Sequence, residues 1–220
     1  MPSLRASPKP TRAPRPATDP PEKLPARTIA GLRRAAKECT RCPLYLPATQ
    51  TVFGEGPADA RVLVIGEQPG NQEDLEGHPF VGPSGKMFDK ALAELGIDRS
   101  RLYVTNTVKH FKFEQRGKVR LHKRANAAEQ AACRLWLRGE LELLAPDVVV
   151  CLGAMASAAI FGNKFRLTAE RGQWRDVQPG VRAFATAHPS SLLRAPDSAA
   201  RAAAWKAFLR DLSLLKKVDL

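Results

Sequence analysis

The chain has 220 residues, 44% of them hydrophobic and 26% charged, enough length and apolar content for one α/β domain with a real core. Its 35 Lys and Arg stand against 22 Asp and Glu, and the formal charge of +13 favours a polyanionic partner through counterion release. No apolar run approaches a membrane span, no basic helix carries bulky apolar anchors and the basic N-terminus lacks an apolar signal core, so a cytoplasmic monomer with no membrane partner is expected.

Residues 1–26 hold eight of the 18 prolines, five cations and almost no bulky apolar side chain. Such a segment cannot bury enough surface to offset its chain entropy, so a disordered basic tail is expected there. Residues 27–220 are expected to form the folded domain. Short apolar runs then alternate with helical patterns. Arg61–Gly66, Leu102–Thr107, Asp147–Gly153 and Val181–Thr186 read as buried strands. Helices are predicted over Ser84–Leu95, stopped by Gly96, over Asn126–Leu144, opened by an Asn126/Glu129 capping box, over Ala154–Phe161 and over Ser198–Lys217. This alternation predicts a three-layer α/β/α sandwich around a four-stranded, mostly parallel sheet, with ligands beyond the carboxyl ends of the strands.

Those ends collect chemistry. The first strand empties into Gly66-Glu67-Gln68-Pro69-Gly70, the second reaches Asn106, and the fourth runs into His188-Pro189-Ser190-Ser191. After Asn106 comes a basic loop, Lys109–Arg124, with seven Lys or Arg, one acid, two Phe and two His in sixteen residues. Interleaved cations and aromatics suit a phosphate backbone and a stacked base. His122 sits among these cations, which are expected to keep its imidazole neutral and available as nucleophile or base. Cys39-Thr40-Arg41-Cys42-Pro43 places two thiols one turn apart, while Cys133 falls in the long predicted helix and Cys151 at the end of the third strand. Four Cys suit either a Cys₄ iron–sulfur cluster or a structural zinc, and two disulfides are disfavoured without a secretory signal.

Taken together, Gly66–Gly70, Asp74, Pro79-Phe80-Val81-Gly82, Gly85, the Thr105–Phe111 segment and His188–Ser191 resemble the motifs of the uracil-DNA glycosylase superfamily, in order along the chain. The four Cys match the ligands of its iron–sulfur branch, which implies a [4Fe–4S] cluster on Cys39, Cys42, Cys133 and Cys151. The Glu67-Gln68 pair with the loop Gly117-Lys118-Val119-Arg120-Leu121-His122 is similar to the UdgX subfamily, whose loop His bonds covalently to the deoxyribose. Val119 stands where a second Arg is usual and Asn71 where an Asp is usual.

The resemblance implies uracil-containing DNA, single- or double-stranded, as partner. It implies Phe80 stacking on a flipped base, Asn106 reading the pyrimidine edge and His188 donating to O2. Glu67 would steady the sugar cation or a water, Gln68 would order the pocket, and His122 would capture C1′. Arg120 would hold a phosphate, with Lys118, Gly66, Gly70 and Ser190 completing the binding surface. A hydrolytic enzyme that turns over, and a silent DNA-binding relative, are the alternatives.

Overall fold

The computed structural model describes residues 22–219, and the segment expected to form a basic tail lies almost wholly outside them. Glu22, just inside, accepts an ion pair from Arg41 at 2.5 Å. Helix α1 (Ile29–Lys37), capped by the Thr28 side chain, leads to the Cys pair, and strand β1 (Val62–Gly66) follows. Then come α2 (Asn71–Glu76), α3 (Pro83–Leu95) and β2 (Leu102–Asn106). A hairpin of β3 (Phe113–Arg116) and β4 (Val119–His122) precedes α4 (Ala127–Leu144) and β5 (Val148–Leu152). The chain closes with α5 (Ala154–Phe161), α6 (Leu167–Glu170), β6 (Arg175–Gln178), β7 (Val181–Thr186), α7 (Pro189–Leu193) and α8 (Ser198–Leu212).

The main sheet has the order β2-β1-β5-β7-β6. Four strands are parallel, as predicted, and β6 adds an antiparallel fifth at the edge. The parallel strands are buried on both faces, and their side chains alternate between two cores. Val62, Val64, Val148, Val150 and Phe184 pack on one face against Phe88 and Leu92 of α3 and Phe208 and Leu212 of α8. Leu63, Ile65, Val149, Cys151 and Ala185 pack on the other, with Leu137 and Leu144 of α4. These are the three layers. The capping box forms as the sequence indicates: Asn126 Oδ1 accepts from the Glu129 N–H at 2.9 Å and Glu129 Oε2 from the Asn126 N–H at 2.7 Å. Gly96 ends α3 in the left-handed conformation.

From β1 the chain moves to β2 on one side and later to β5 on the other, so the strand order reverses at β1. The crevice beyond the carboxyl ends of β1 and β5 is therefore the preferred ligand position of such a sheet. Among the described residues no helix is long and apolar enough to cross a membrane.

Candidate active site

A cavity of about 830 Å³ opens at that crevice, and Glu67, Gln68, Phe80, Asn106, His122 and His188 all line it. Residues 121 apart in sequence, Glu67 and His188, are thus brought to one space. Gly66 and Asn106 are opposite each other in the β1–β2 register. A Cβ at Gly66 would meet Asn106 Oδ1 and the Phe80 ring, so glycine is required for the two side chains to share the pocket floor. Phe80 holds φ +61°, sparsely populated for a non-glycine residue. Gly85 permits this, because its Cβ would collide with the Phe80 carbonyl. Among the described residues the Asn106 amide has no hydrogen-bond partner, which leaves both its donor and its acceptor for a ligand.

Glu67 leaves β1 toward the start of α5, and Oε1 lies 3.4 Å from the Met155 N–H. The positive end of that helix favours the carboxylate. Gly153, at φ +92°, makes room: a Cβ there would stand 2.6 Å from Glu67 Oε1 and 2.9 Å from His188 Cβ. His188 accepts at Nδ1 from the Ser190 N–H (3.2 Å) and pairs with its hydroxyl (2.9 Å), so the neutral ring carries its proton on Nε2. Ser190 therefore sets a tautomer. Burial pushes the His188 pKa down to about 4 against the opposing pull of Glu67, with Arg194 and His122 adding to the fall. The imidazole is a neutral donor at neutral pH. His122 is also lowered, first by desolvation, with Glu67 opposing and Arg194 assisting. Desolvation, not the loop cations expected from the sequence, comes first, and the cation that adds to it is Arg194.

The basic loop is a hairpin, and its period of two decides which side chains do what. Gly117 supplies φ +57° at the turn. On β4, Arg120 and His122 share one face, while Val119 and Leu121 point outward and are exposed. Arg120 is not free for a phosphate. Its guanidinium donates to Asn71 Oδ1 and to Asp74 Oδ2, both at 2.6 Å, and covers the rings of Phe111 and Phe113. It staples the hairpin to α2. Asn71, a departure from the UdgX pattern, is one of the acceptors. Gln68 lines the cavity and is a second staple: Nε2 donates to the Lys123 carbonyl at 2.9 Å and Oε1 accepts from the Ala125 N–H at 2.7 Å, just beyond His122. Lys123 pairs with Glu114 at 2.6 Å. Lys118 stands exposed at the turn. Gly70 lines the cavity and donates its N–H to Glu73 Oε2 at 3.1 Å, which shapes the rim. Arg124 and Arg194, not singled out from sequence, both line the cavity and have no acidic partner among the described residues.

The cysteines divide three to one. Cys39, Cys42 and Cys133 pack with Phe53, Trp136 and Met155, and after burial the Cys39 thiol helps to raise the pKa of both Cys42 and Cys133. Cys39 Sγ accepts from the Trp136 indole N–H and Cys133 Sγ from the Lys109 N–H, each at 3.2 Å, the N–H···S pattern that stabilises a ligating thiolate. Burial holds the Cys133 thiol up at about 12, a cost that a metal would repay. Cys151 is set apart. It lies on the β5 face that packs against Ile65 and Ala185, and its thiol is raised by burial alone. A different donor, His110, 4% exposed, follows Lys109, whose N–H meets Cys133 Sγ. Its Nε2 lies 2.9 Å from the Thr51 hydroxyl, which itself donates to the Ala36 carbonyl that receives the Cys39 N–H. Nε2 is therefore the donor and Nδ1 keeps a lone pair. Burial holds this ring neutral as ligation demands. Among the described residues no three such side chains stand close enough for a single metal ion; the donor chemistry, soft thiols plus imidazole, fits an iron–sulfur cluster.

Residues 53–213 match the model of the uracil DNA glycosylase superfamily. A Type-4 uracil-DNA glycosylase of Thermotoga maritima is 41% identical over 159 residues, covering 72% of this chain and 79% of its own. One from Archaeoglobus fulgidus is 33% identical over 171 residues, covering 74% and 82%. A Type-5 uracil-DNA glycosylase of Pyrobaculum aerophilum is 31% identical over 186 residues, covering 70% and 79%. With its reversal-point cavity, paired imidazoles and matched length, the chain belongs to the uracil-DNA glycosylase superfamily.

Proposed function

We propose that the protein, through residues 27–220, removes uracil from single- or double-stranded DNA and is captured on the abasic sugar by His122. The observation that supports this best is the cavity itself, where a neutral donor (His188), a carboxylate (Glu67) and a neutral imidazole (His122) surround a floor built to hold a pyrimidine. A base can enter only after leaving the stack; Phe80 offers a ring face and Asn106 an amide that pairs with the N3–H and O4 edge of uracil. As the C1′–N1 bond breaks, its electron pair leaves with uracil, and His188 Nε2–H meets the charge growing on O2. Glu67 steadies the cationic sugar. His122 then gives a ring-nitrogen lone pair to C1′, and the new imidazolium loses its remaining N–H proton to solvent.

The cluster reading assigns Cys39, Cys42 and Cys133, with His110 rather than Cys151 as fourth ligand. Bound there, a [4Fe–4S] cluster supplies rigidity, pinning the Cys39 segment to α4.

A uracil oligonucleotide, a denaturing gel and the variant His122→Ala test the reading. A slowed protein–DNA band in the wild type that vanishes in His122→Ala is the expected result; a band persisting in that variant removes His122 from the role. The relatives named as Type-4 glycosylases support a second reading, in which Glu67 orients a water and the enzyme turns over. Free abasic product over many cycles, with no slowed band, would establish it.

A further inference from the structure

Behind Asn106 lies an ion pair that the chemistry above does not use. Lys109 and Glu140 are both 0% exposed, with Nζ and Oε2 2.6 Å apart. The ammonium distributes its three protons to Glu140, to Thr105 Oγ1 at 2.6 Å and to the backbone carbonyl of Asn106 at 2.7 Å. Glu140 also accepts from the Gly54 N–H at 3.1 Å, the Tyr103 hydroxyl at 3.3 Å and the Thr105 hydroxyl at 2.9 Å. Every donor and acceptor is used. The main-chain N–H of the same Lys109 reaches Cys133 Sγ.

Stability does not explain this arrangement. Two charges withdrawn from water cost more than well-packed apolar residues of the same volume, so a buried pair is weak grounds for stability. What it gives is direction. The ammonium reaches back along β2 and grips the carbonyl of Asn106, whose unpartnered amide lines the pocket. The following residues are held from the other side, with Thr107 N–H on Gly66 and Val108 N–H on Glu67, each at 3.0 Å.

We propose that Lys109 and Glu140 are positioning residues for base reading, setting through the Asn106 carbonyl the height at which its amide meets the flipped pyrimidine. Through Cys133 the same residue ties that setting to the cysteine-rich face. The proposal rests on the reading of Asn106 as the base-contacting residue.

Thr105→Val, isosteric but without the hydroxyl that links the two charges, is the mild perturbation; Lys109→Met is the severe one. Single-turnover uracil release is measured for Thr105→Val, Asn106→Ala and their combination, as a double-mutant cycle. Action through Asn106 predicts that Thr105→Val slows release about 10- to 100-fold in the wild type, as small misplacements do, with little change in the enzyme concentration giving half-maximal rate. In the Asn106→Ala background the same change is expected to add less than about twofold, and Thr105→Ser to restore the rate. Equal slowing in both backgrounds, or no slowing in either single variant, overturns the proposal. Hydrogen exchange at Thr107 and Val108 is read alongside. Should wild-type protein release no uracil, the catalytic reading falls, and exchange still decides the positioning: faster in Thr105→Val supports it, unchanged refutes it.

Discussion

Replacing Arg120 by Met separates two jobs that one arginine could hold. A phosphate clamp faces solvent and is indifferent to the fold; the staple seen here pairs with Asp74, which is 0% exposed, while the Arg120 side chain is 16% exposed. Removing one partner of a buried pair costs about 3–5 kcal/mol, and the solvent edge of this one puts it near about 3 kcal/mol. Lost contact with the Phe111 and Phe113 rings adds about 0.5–1 kcal/mol. Asp74 would keep the Thr49 N–H as donor, at 3.0 Å. A two-stranded ribbon has little stability of its own, so exchange across residues 113–122 should rise before the rest of the domain opens. Urea unfolding, exchange and the salt dependence of DNA binding are measured together. The staple predicts lower stability and an unchanged slope of log K against log salt. Unchanged stability with a slope smaller by about one charge would refute the reasoning and return Arg120 to the phosphate.

Gln68→Ala should leave the buried Ala125 N–H without its acceptor, at a cost of about 1–3 kcal/mol, and reduce the yield of the protein–DNA band more than it reduces uracil release. Gly153→Ala would drive a methyl toward Glu67 and His188 and force a side chain into φ +92°; uracil release about 100-fold slower is expected in single-turnover assays. For pH, both pocket imidazoles have folded-state pKa values below the ordinary value of about 6.5. Unfolded protein therefore binds protons that folded protein does not, and urea midpoints should fall as pH drops from about 6.5 toward the His188 value of about 4, while staying flat above. Cys151→Ser is expected to keep the brown colour of the cluster and Cys133→Ser to lose it; bleaching by the first would restore Cys151 as ligand.

Much of the frame was legible because buried parallel strands are unbroken apolar runs, as in VLVIG of β1 and VVVCL of β5, and because Gly96 and the Asn126/Glu129 box mark helix ends. The edge strand β6, RDVQ, was not legible, since a strand half in water has no apolar run to announce it. The hairpin was missed because none of β4 is buried: Arg120 faces α2, His122 edges the cavity, and Val119 and Leu121 stand in water, the inverse of the usual pattern. Its inward face then decided Arg120, whose reach to Asp74 crosses 46 residues. The fold also sets Cys151 apart from the other three thiols. Spacing counts thiols, but only the alternation of β5 shows that Cys151 joins the sheet core, and only the turn after β2 brings Lys109, next to His110, onto Cys133.

The hairpin leaves and rejoins the body almost at one point, with the Lys123 N–H on the Lys112 carbonyl at 2.9 Å. Its ten residues form no part of the main sheet. A chain lacking them could close the gap with a short turn and keep the floor of Phe80 and Asn106 intact. On the proposed reading, sugar capture is carried by an appendage set between β2 and α4 of a base-reading scaffold, and it would move to another member of the fold only with the two staples on α2 and Gln68.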